Sequence, residues 1–148
     1  MGGKGGKMPN FWILSKIGLT LPNGGKQLVF YADQGDLIRL EWEPEDILYE
    51  TASHMRKKIR KGYRGKLTIE TFAWNDLSKA DFLRRCMNAE NVSIAYTDPL
   101  FNPNLTQYRL VFESLEVVEM YSENKFLLRA TARIQELLSN IPALEQQP

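Results

Sequence analysis

Few residues of this chain have the type and spacing that catalysis or metal binding requires. His54 is the only histidine and has no second imidazole at ligand spacing, so we expect an exposed polar residue rather than a zinc or iron ligand. Cys86, the only cysteine, falls on the apolar face of a predicted helix, where a thiol packs as a small hydrophobe. Glu43, Glu45 and Asp46 could form an acid/base pair or a hard-cation site, but an acidic turn is the simpler interpretation. We therefore predict that the chain is not an enzyme and has no catalytic residue, metal site or cofactor.

The densest chemical signal that remains is a basic segment, residues 56–66. It carries seven Lys or Arg in eleven residues, although the net charge of the chain is only +1, so the rest of the chain must be net acidic. A basic projection beside an acidic face suits either a polyanion or another copy of the same protein. The sequence pI of about 7.8 favours the second, because the pI of a dedicated nucleic-acid-binding domain usually exceeds ~9. A solvated charged face without any partner is the third interpretation.

We predict that this segment contacts an acidic surface on a neighbouring copy. Exposed ion pairs contribute about 0–1 kcal/mol each, so such an interface would also need apolar burial or strand pairing between copies. The alternative function is that of a nucleic-acid-binding accessory protein that uses residues 56–66 and loses affinity steeply with salt. The predicted interface residues are, on the basic side, Arg56, Lys57, Lys58, Arg60, Lys61, Tyr63 and Arg64, and on the acidic side, Asp36, Glu41, Glu43 and Glu45.

Alternating apolar residues predict that strands position most of these charges. The clearest strand is 124–135, because every second residue from Phe126 to Ile134 is apolar. In 107–121 the alternation changes phase at Glu113-Ser114, which predicts a bulge or a move between packed sheets, and residues 122–124 would close a hairpin. A second phase change is expected at Phe72 in strand 66–74. The other predicted strands are 11–17, 26–32, 37–42 and 91–96.

One helix is predicted near 78–88, and one segment is ambiguous. Ser78 as N-cap and Asp81 three residues later match a capping box that begins this helix. Segment 44–61 has Pro44 at a first helical position and apolar residues at helical spacing, which slightly favours a helix. Read as a strand, the same segment forms one side of a long hairpin near 48–74. The pattern alone leaves both structures open.

Length and composition are typical of a single globular domain. Of the 148 residues, 43% are hydrophobic and 25% are charged, which is enough to form one core. We expect a flexible Gly/Lys-rich N-terminal tail at 1–10, one β-rich domain at 11–139 and a polar C-terminal tail at 140–148. No apolar stretch approaches the roughly 20 residues that a membrane-spanning helix needs, so we expect no membrane span. A single cysteine gives no reason to expect an oxidising compartment.

Five loose patterns of residue type follow one another along the chain. They are Gly62-Tyr63-Arg64-Gly65, Lys66-Leu67-Thr68-Ile69-Glu70-Thr71-Phe72, Asp76-Leu77-Ser78-Lys79-Ala80-Asp81-Phe82-Leu83, Ala95-Tyr96-Thr97-Asp98-Pro99 and Glu113-Ser114-Leu115-Glu116-Val117. In this order, the elements over roughly residues 26–138 resemble small structural proteins from the tails and baseplates of tailed bacteriophages.

The resemblance implies a mainly β (α+β) fold, an antiparallel β-sandwich or barrel of tail-tube type with one flanking helix. Copies would form a ring or tube with one another and with neighbouring tail or baseplate proteins, and DNA could pass through the lumen. The protein would be made in the host cytoplasm and located in the virion tail. The resemblance also favours a strand at 48–60, because such proteins extend a long hairpin towards the neighbouring subunit. Tube, distal ring, hub and tail-completion protein all stay open.

Overall fold

The structure, a computed structural model, describes residues 11–22, 25–74, 77–97, 101–102, 105–140 and 145–146. It confirms a mainly β fold: most of the described residues are in strands, eight strands form one antiparallel sheet, two short strands form a second sheet, and the described residues contain one α-helix. The predicted tail at 1–10 lies outside the described residues. Within the predicted tail at 140–148, Glu145–Gln146 pairs with Phe101–Asn102.

The longest strand has 19 residues and follows a strand of 14 residues in the chain, whereas the helix has 11 residues. Two 3₁₀ turns, Ala32–Gln34 and Leu105–Gln107, connect strands. In chain order the elements are β1 Phe11–Ile13, β2 Lys16–Thr20, β3 Gln27–Tyr31, β4 Leu37–Glu50, β5 Arg56–Trp74, α1 Ser78–Asn88, β6 Val92–Thr97, β7 Phe101–Asn102, β8 Arg109–Ser122, β9 Lys125–Ile134 and β10 Glu145–Gln146.

The eight-stranded sheet has the order β1-β4-β5-β9-β8-β6-β2-β3. β1 pairs with β4, whereas β2 pairs with β3 and β6, although only two residues separate β1 from β2. At this junction the Leu14 N–H donates to the Ile38 carbonyl, and the Ala32 N–H donates to the Ser15 carbonyl. β1 and β2 are consecutive in the chain but pair near opposite ends of the sheet. The two ends must therefore lie close together, and the sheet curls around its own core.

The core lies on the concave side of the sheet and is closed by α1. The predicted inward residues of β9, from Leu128 to Ile134, are buried, which confirms the alternation there. Phe82, Leu83 and Cys86 of α1 are also buried, and the Phe82 ring lies 6.4 Å from that of Phe30. Burial raises the pKa of the Cys86 thiol to about 12, as expected for a cysteine that packs as a hydrophobe.

The two predicted phase changes have different outcomes. The pairing of β9 with β8 shifts register between Thr131 and Ala132, which leaves Glu113 without a partner in the register and confirms the predicted irregularity. The prediction of a phase change at Phe72 is wrong, because β5 pairs with β9 without interruption as far as Trp74. Ala73 is buried and Phe72 is exposed, as an unbroken alternation requires. Phe72 therefore belongs to the outer face, and its apolar character does not mark the core.

Segment 44–61 is extended, and the helix-like spacing there is misleading. β4 and β5 pair from Leu37 opposite Glu70 to Glu50 opposite Arg56, which forms the long hairpin. Leu48, Met55 and Ile59, the residues at helical spacing, are each more than half exposed, so there is no core for a helix face to cover. At the real helix, the N-cap is Leu77 and makes no side-chain cap bond, so the capping box at Ser78 is also wrong. Asp81 instead pairs with Arg84 and Arg85.

Gly65 is a packing constraint in the middle of β5. A Cβ atom there would lie 2.6 Å from Cδ1 of Ile134 and 3.0 Å from the Trp42 indole. We expect Gly65→Ala to lower the free energy of unfolding by about 1–3 kcal/mol through overpacking, as measured by urea denaturation. Ile134→Val removes the closest atom, so the double variant should recover part of this loss. Equal stability of Gly65→Ala and wild type would show that the site has room.

Candidate functional site

The most prominent surface feature is the outer end of the long hairpin, residues 46–61, which we call the arm. β9 covers β5 only over residues 66–74, so in the described structure the two strands of the arm pair only with each other. No residue of the arm is buried. The arm is therefore a two-stranded ribbon that projects from the sheet, and isolated two-stranded ribbons are marginally stable in water.

The two faces of the arm differ in chemistry. Ile47 lies directly opposite Ile59, and Tyr49 lies opposite Lys57, so these side chains share one face. Ile47, Tyr49 and Ile59 are 41–52% exposed and form what we call the apolar face of the arm. Such side chains on a ribbon without a core behind them are typical of a surface that another molecule covers.

The opposite face of the arm carries ion pairs beside the exposed side chain of Leu48. The Arg60 Nε donates to the Asp46 carboxylate, and this bond raises the pKa of the guanidinium above its ordinary value. The Lys58 ammonium is 3.8 Å from the same carboxylate. Arg60 also donates to the Tyr63 hydroxyl at 2.9 Å, and its guanidinium lies 5.3 Å from the Tyr63 ring centroid. These contacts hold the ribbon in one register at its base.

The base of the arm is fixed to the segment that follows β9. Tyr63 exchanges two backbone hydrogen bonds with Leu138, at 2.7 and 2.9 Å. At Gly62 the register shifts, and a Cβ atom would lie 2.5 Å from the Leu138 carbonyl oxygen. Only glycine fits beneath this crossing segment, so the place where the arm leaves the sheet is set by backbone packing.

Arg64 has a structural role at this base. It donates to Glu45 at 2.9 and 3.0 Å and to the carbonyl oxygens of Ile134 and Gln135 at 3.2 and 2.6 Å. Its guanidinium therefore links β4, β5 and the end of β9 within one chain. Of the predicted basic residues, the five from Arg56 to Lys61 lie on the exposed arm, whereas Tyr63 and Arg64 lie at its base.

The predicted acidic surface is not free for a neighbour. Glu43 accepts a hydrogen bond from Arg133 at 2.6 Å, Glu45 binds Arg64, and Glu41 is 3.7 Å from Arg39. Asp36 is only 5% exposed, so it cannot belong to an exposed interface. The sequence pattern places these acids near the basic segment but does not show that the chain uses them for its own ion pairs.

The paired acids and two arginines of β9 form a ladder across the outer face of the sheet. Arg133 binds Glu43 and Glu113, and Arg129 binds Glu70 and Glu116. Hydrogen bonds to Glu43 and Glu70 raise the pKa of Arg133 and Arg129 above the ordinary value. Because these pairs cross from β4 and β5 to β8, they fix strand register on a surface that is otherwise exposed.

A groove of about 770 Å³ lies beside this ladder, at the base of the arm. Its charged lining consists of Glu43, Glu45, Glu113, Arg64 and Arg133. Both guanidinium groups already bind carboxylates, so neither is available to an anionic ligand. Among the described residues that line it, there is no cysteine, histidine or hydroxyl side chain, and its carboxylates bind Arg64 and Arg133.

A second apolar surface, which sequence analysis missed, lies at the end of the hairpin formed by β8 and β9. Val117, Val118, Met120 and Tyr121 are 41–64% exposed, and we call these four residues the tip. Val117 and Met120 oppose Leu128 and Phe126, so they continue the core-facing rows of the sheet past the core itself. The consecutive Val117-Val118 pair, which breaks the alternation, was the available signal.

The remaining chemical candidates lie apart from one another. His54 is near the outer end of the arm, 3.3 Å from Glu50, and Cys86 is buried in the core. Among the described residues, no three His, Cys, Asp or Glu side chains are grouped so as to hold a metal ion. In the same part of the chain, no helix has the length and apolar character that crossing a membrane requires.

Two comparisons with known proteins found no match for this chain. No model of a known protein family matches it. No curated protein matches it either. The assignment of a function therefore depends on the surfaces described above.

Proposed function

We propose that this protein is a non-enzymatic structural subunit of a bacteriophage tail or baseplate that assembles into a ring or tube with copies of itself and with neighbouring virion proteins. The arm carries this proposal. It is a paired ribbon with an apolar face, and it projects from a sheet whose own core is complete without it. A chain that only had to fold would gain little from this ribbon, whereas a chain that assembles can bury it against a neighbour.

The position of the exposed apolar surfaces also supports assembly. The arm is at the beginning of β5, and the tip lies beside the end of the same 19-residue strand, where Trp74 pairs with Lys125. At about 3.3 Å per residue, the strand separates the two surfaces by about 40 Å or more. They cannot cover each other within one chain, and both are exposed in the described part of the structure.

The test is whether the purified protein associates. We expect its mass, measured by multi-angle light scattering, to rise above that of one chain as concentration increases, and electron microscopy to show closed rings or tubes. A strict monomer at high concentration, also in the presence of other tail proteins, would contradict the proposal. Titration with DNA at two ionic strengths tests the alternative: tight binding at low salt that falls steeply with salt would favour a nucleic-acid-binding protein.

A further inference from the structure

We propose that the arm of one subunit docks on the open edge of β8 in the next subunit, with residues 56–61 lying beside residues 115–122 as an added strand. This inference rests on the proposed function, since it names the surface that receives the arm. The proposed binding surface for the arm is therefore β8, and not the acidic residues of β4, because those residues bind partners in their own chain.

Both strands have an unpaired edge in the described part of the molecule. β8 pairs with β9 along Leu110–Ser122, but its other edge pairs with β6 only at Arg109 and Leu110. Residues 116–122 are all exposed. In the arm, β5 pairs with β4 on one side, and no described strand lies on the other side of residues 56–61. An open edge presents a row of peptide N–H and C=O groups, which an incoming strand can satisfy.

The charges of the two edges are complementary. Residues 56–61 contain five Lys or Arg and no acid, whereas residues 117–123 contain two Glu and no Lys or Arg. Glu113 and Glu116, earlier in the same strand, already bind Arg133 and Arg129 and are not counted. Among the described residues, Arg56, Lys57 and Lys61 have no ion-pair partner. Contact between two arms would bring Lys and Arg side chains together, and contact between two tips would bring Glu side chains together. The distribution of charge therefore favours contact between an arm and a tip.

The apolar side chains match in the same way. The apolar face of the arm presents Ile47, Tyr49 and Ile59, and the tip presents Val117, Val118 and Met120 next to the open edge. Strand addition places these two sets side by side, so that both lose contact with water. Buried apolar area supplies the affinity that exposed ion pairs lack, while the charges select the partner.

The contact is head to tail. The arm and the tip lie at opposite ends of β5, so a subunit can offer its arm to one neighbour and its tip to another. Such a heterologous contact generates a closed ring if the rotation between subunits closes, and an open helix if it does not. A two-fold dimer in which arm meets arm or tip meets tip is not expected, because like charges would then face each other.

Disulfide capture tests the contact directly. The experiment uses two full-length variants, Lys57→Cys and Glu119→Cys, one of which carries a tag that increases its mass. The two are mixed and oxidised mildly, and the mixed disulfide is recognised by its mass. Cys86 is buried and does not compete. We expect the mixed disulfide to form at least about tenfold faster than the control pair of Lys26→Cys, another exposed lysine, with Glu119→Cys.

Charge exchange is the second measurement. Lys57→Glu/Lys61→Glu and Glu119→Lys/Glu123→Lys should each lower self-association at least about tenfold, and mixing the two variants should restore it. If wild type assembles but the mixed disulfide forms no faster than the control, the acceptor is wrong and the proposed function stands. Predominant Lys57→Cys homodimers would show arm-to-arm pairing and overturn the inference. If wild type does not assemble at all, the proposed function fails, and this inference fails with it.

Discussion

Removal of the arm should abolish self-association and leave the fold intact. Replacing residues 47–59 with Asn-Gly joins Asp46 to Arg60, which lie directly opposite each other, through a two-residue turn that suits an antiparallel hairpin. None of the deleted residues is buried, so we expect the circular dichroism spectrum and the melting temperature to stay close to those of wild type. The association constant from light scattering should fall by about 100-fold or more, which corresponds to about 2.8 kcal/mol.

Point substitutions separate the apolar face of the arm from its charge. Ile47→Ser/Ile59→Ser should weaken association strongly, because both side chains lie on that face. Leu37→Ser is the matched control, since Leu37 is exposed to a similar extent, 40% against 46% for Ile47, but lies outside the arm and the tip. Unchanged association after both the deletion and the double substitution would show that another surface holds the subunits together.

Asp36→Ala should be the most destabilising of the single substitutions considered, with a loss of about 3 kcal/mol in the free energy of unfolding. The Asp36 carboxylate accepts hydrogen bonds from the Thr71 hydroxyl at 2.6 Å, the Tyr31 N–H at 2.9 Å and the Lys79 ammonium at 3.2 Å. It thereby connects the end of β3 to β5 and α1. Its loss leaves a buried hydroxyl and an amide without their acceptor.

The size of this effect follows from the different burial of two donors, Thr71 and Lys79. Thr71 is fully buried and loses its bond to Asp36 where water cannot replace it, whereas the Lys79 side chain is 27% exposed and can recover water. This places the effect near the lower end of the range for broken buried ion pairs, about 3–5 kcal/mol. Asp33→Ala is the control, because it removes the same charge from an exposed position in the same turn. Urea denaturation that shows equal losses for both variants would contradict the role of Asp36.

Periodicity in the sequence predicted the parts of the fold in which each strand covers the core with every second residue. β9 is the clearest example, and the irregularity at Glu113 was visible because an extra residue shifts the phase of all that follow. The same method failed at Phe72, where an apolar residue lies on the outer face. It also could not decide segment 44–61, because alternation loses its meaning where neither face of a ribbon is buried.

The candidate site was predicted less completely than the fold. The basic arm was identified because five cations within residues 56–61 are a local feature of the sequence. The fate of its proposed acidic partners depends on contacts between distant residues: Asp36 meets Thr71 and Lys79, and Glu43 meets Arg133 ninety positions away. No local pattern records such contacts. The tip was missed because Val117 and Met120 continue the core-facing rows, and the break in alternation at Val117-Val118 does not by itself show where the core ends.

The length of β5 has a mechanical consequence for an assembly of these subunits. A pull on the arm would be transmitted along a single strand to the far end of the molecule. Within the sheet, β4 and β9 flank this strand on both sides, and their hydrogen bonds lie across the direction of the pull. A pull along β5 would load these hydrogen bonds in shear, all at the same time, and would not break them one after another. We therefore expect the sheet of each subunit to resist stretching better than the arm that links it to its neighbour.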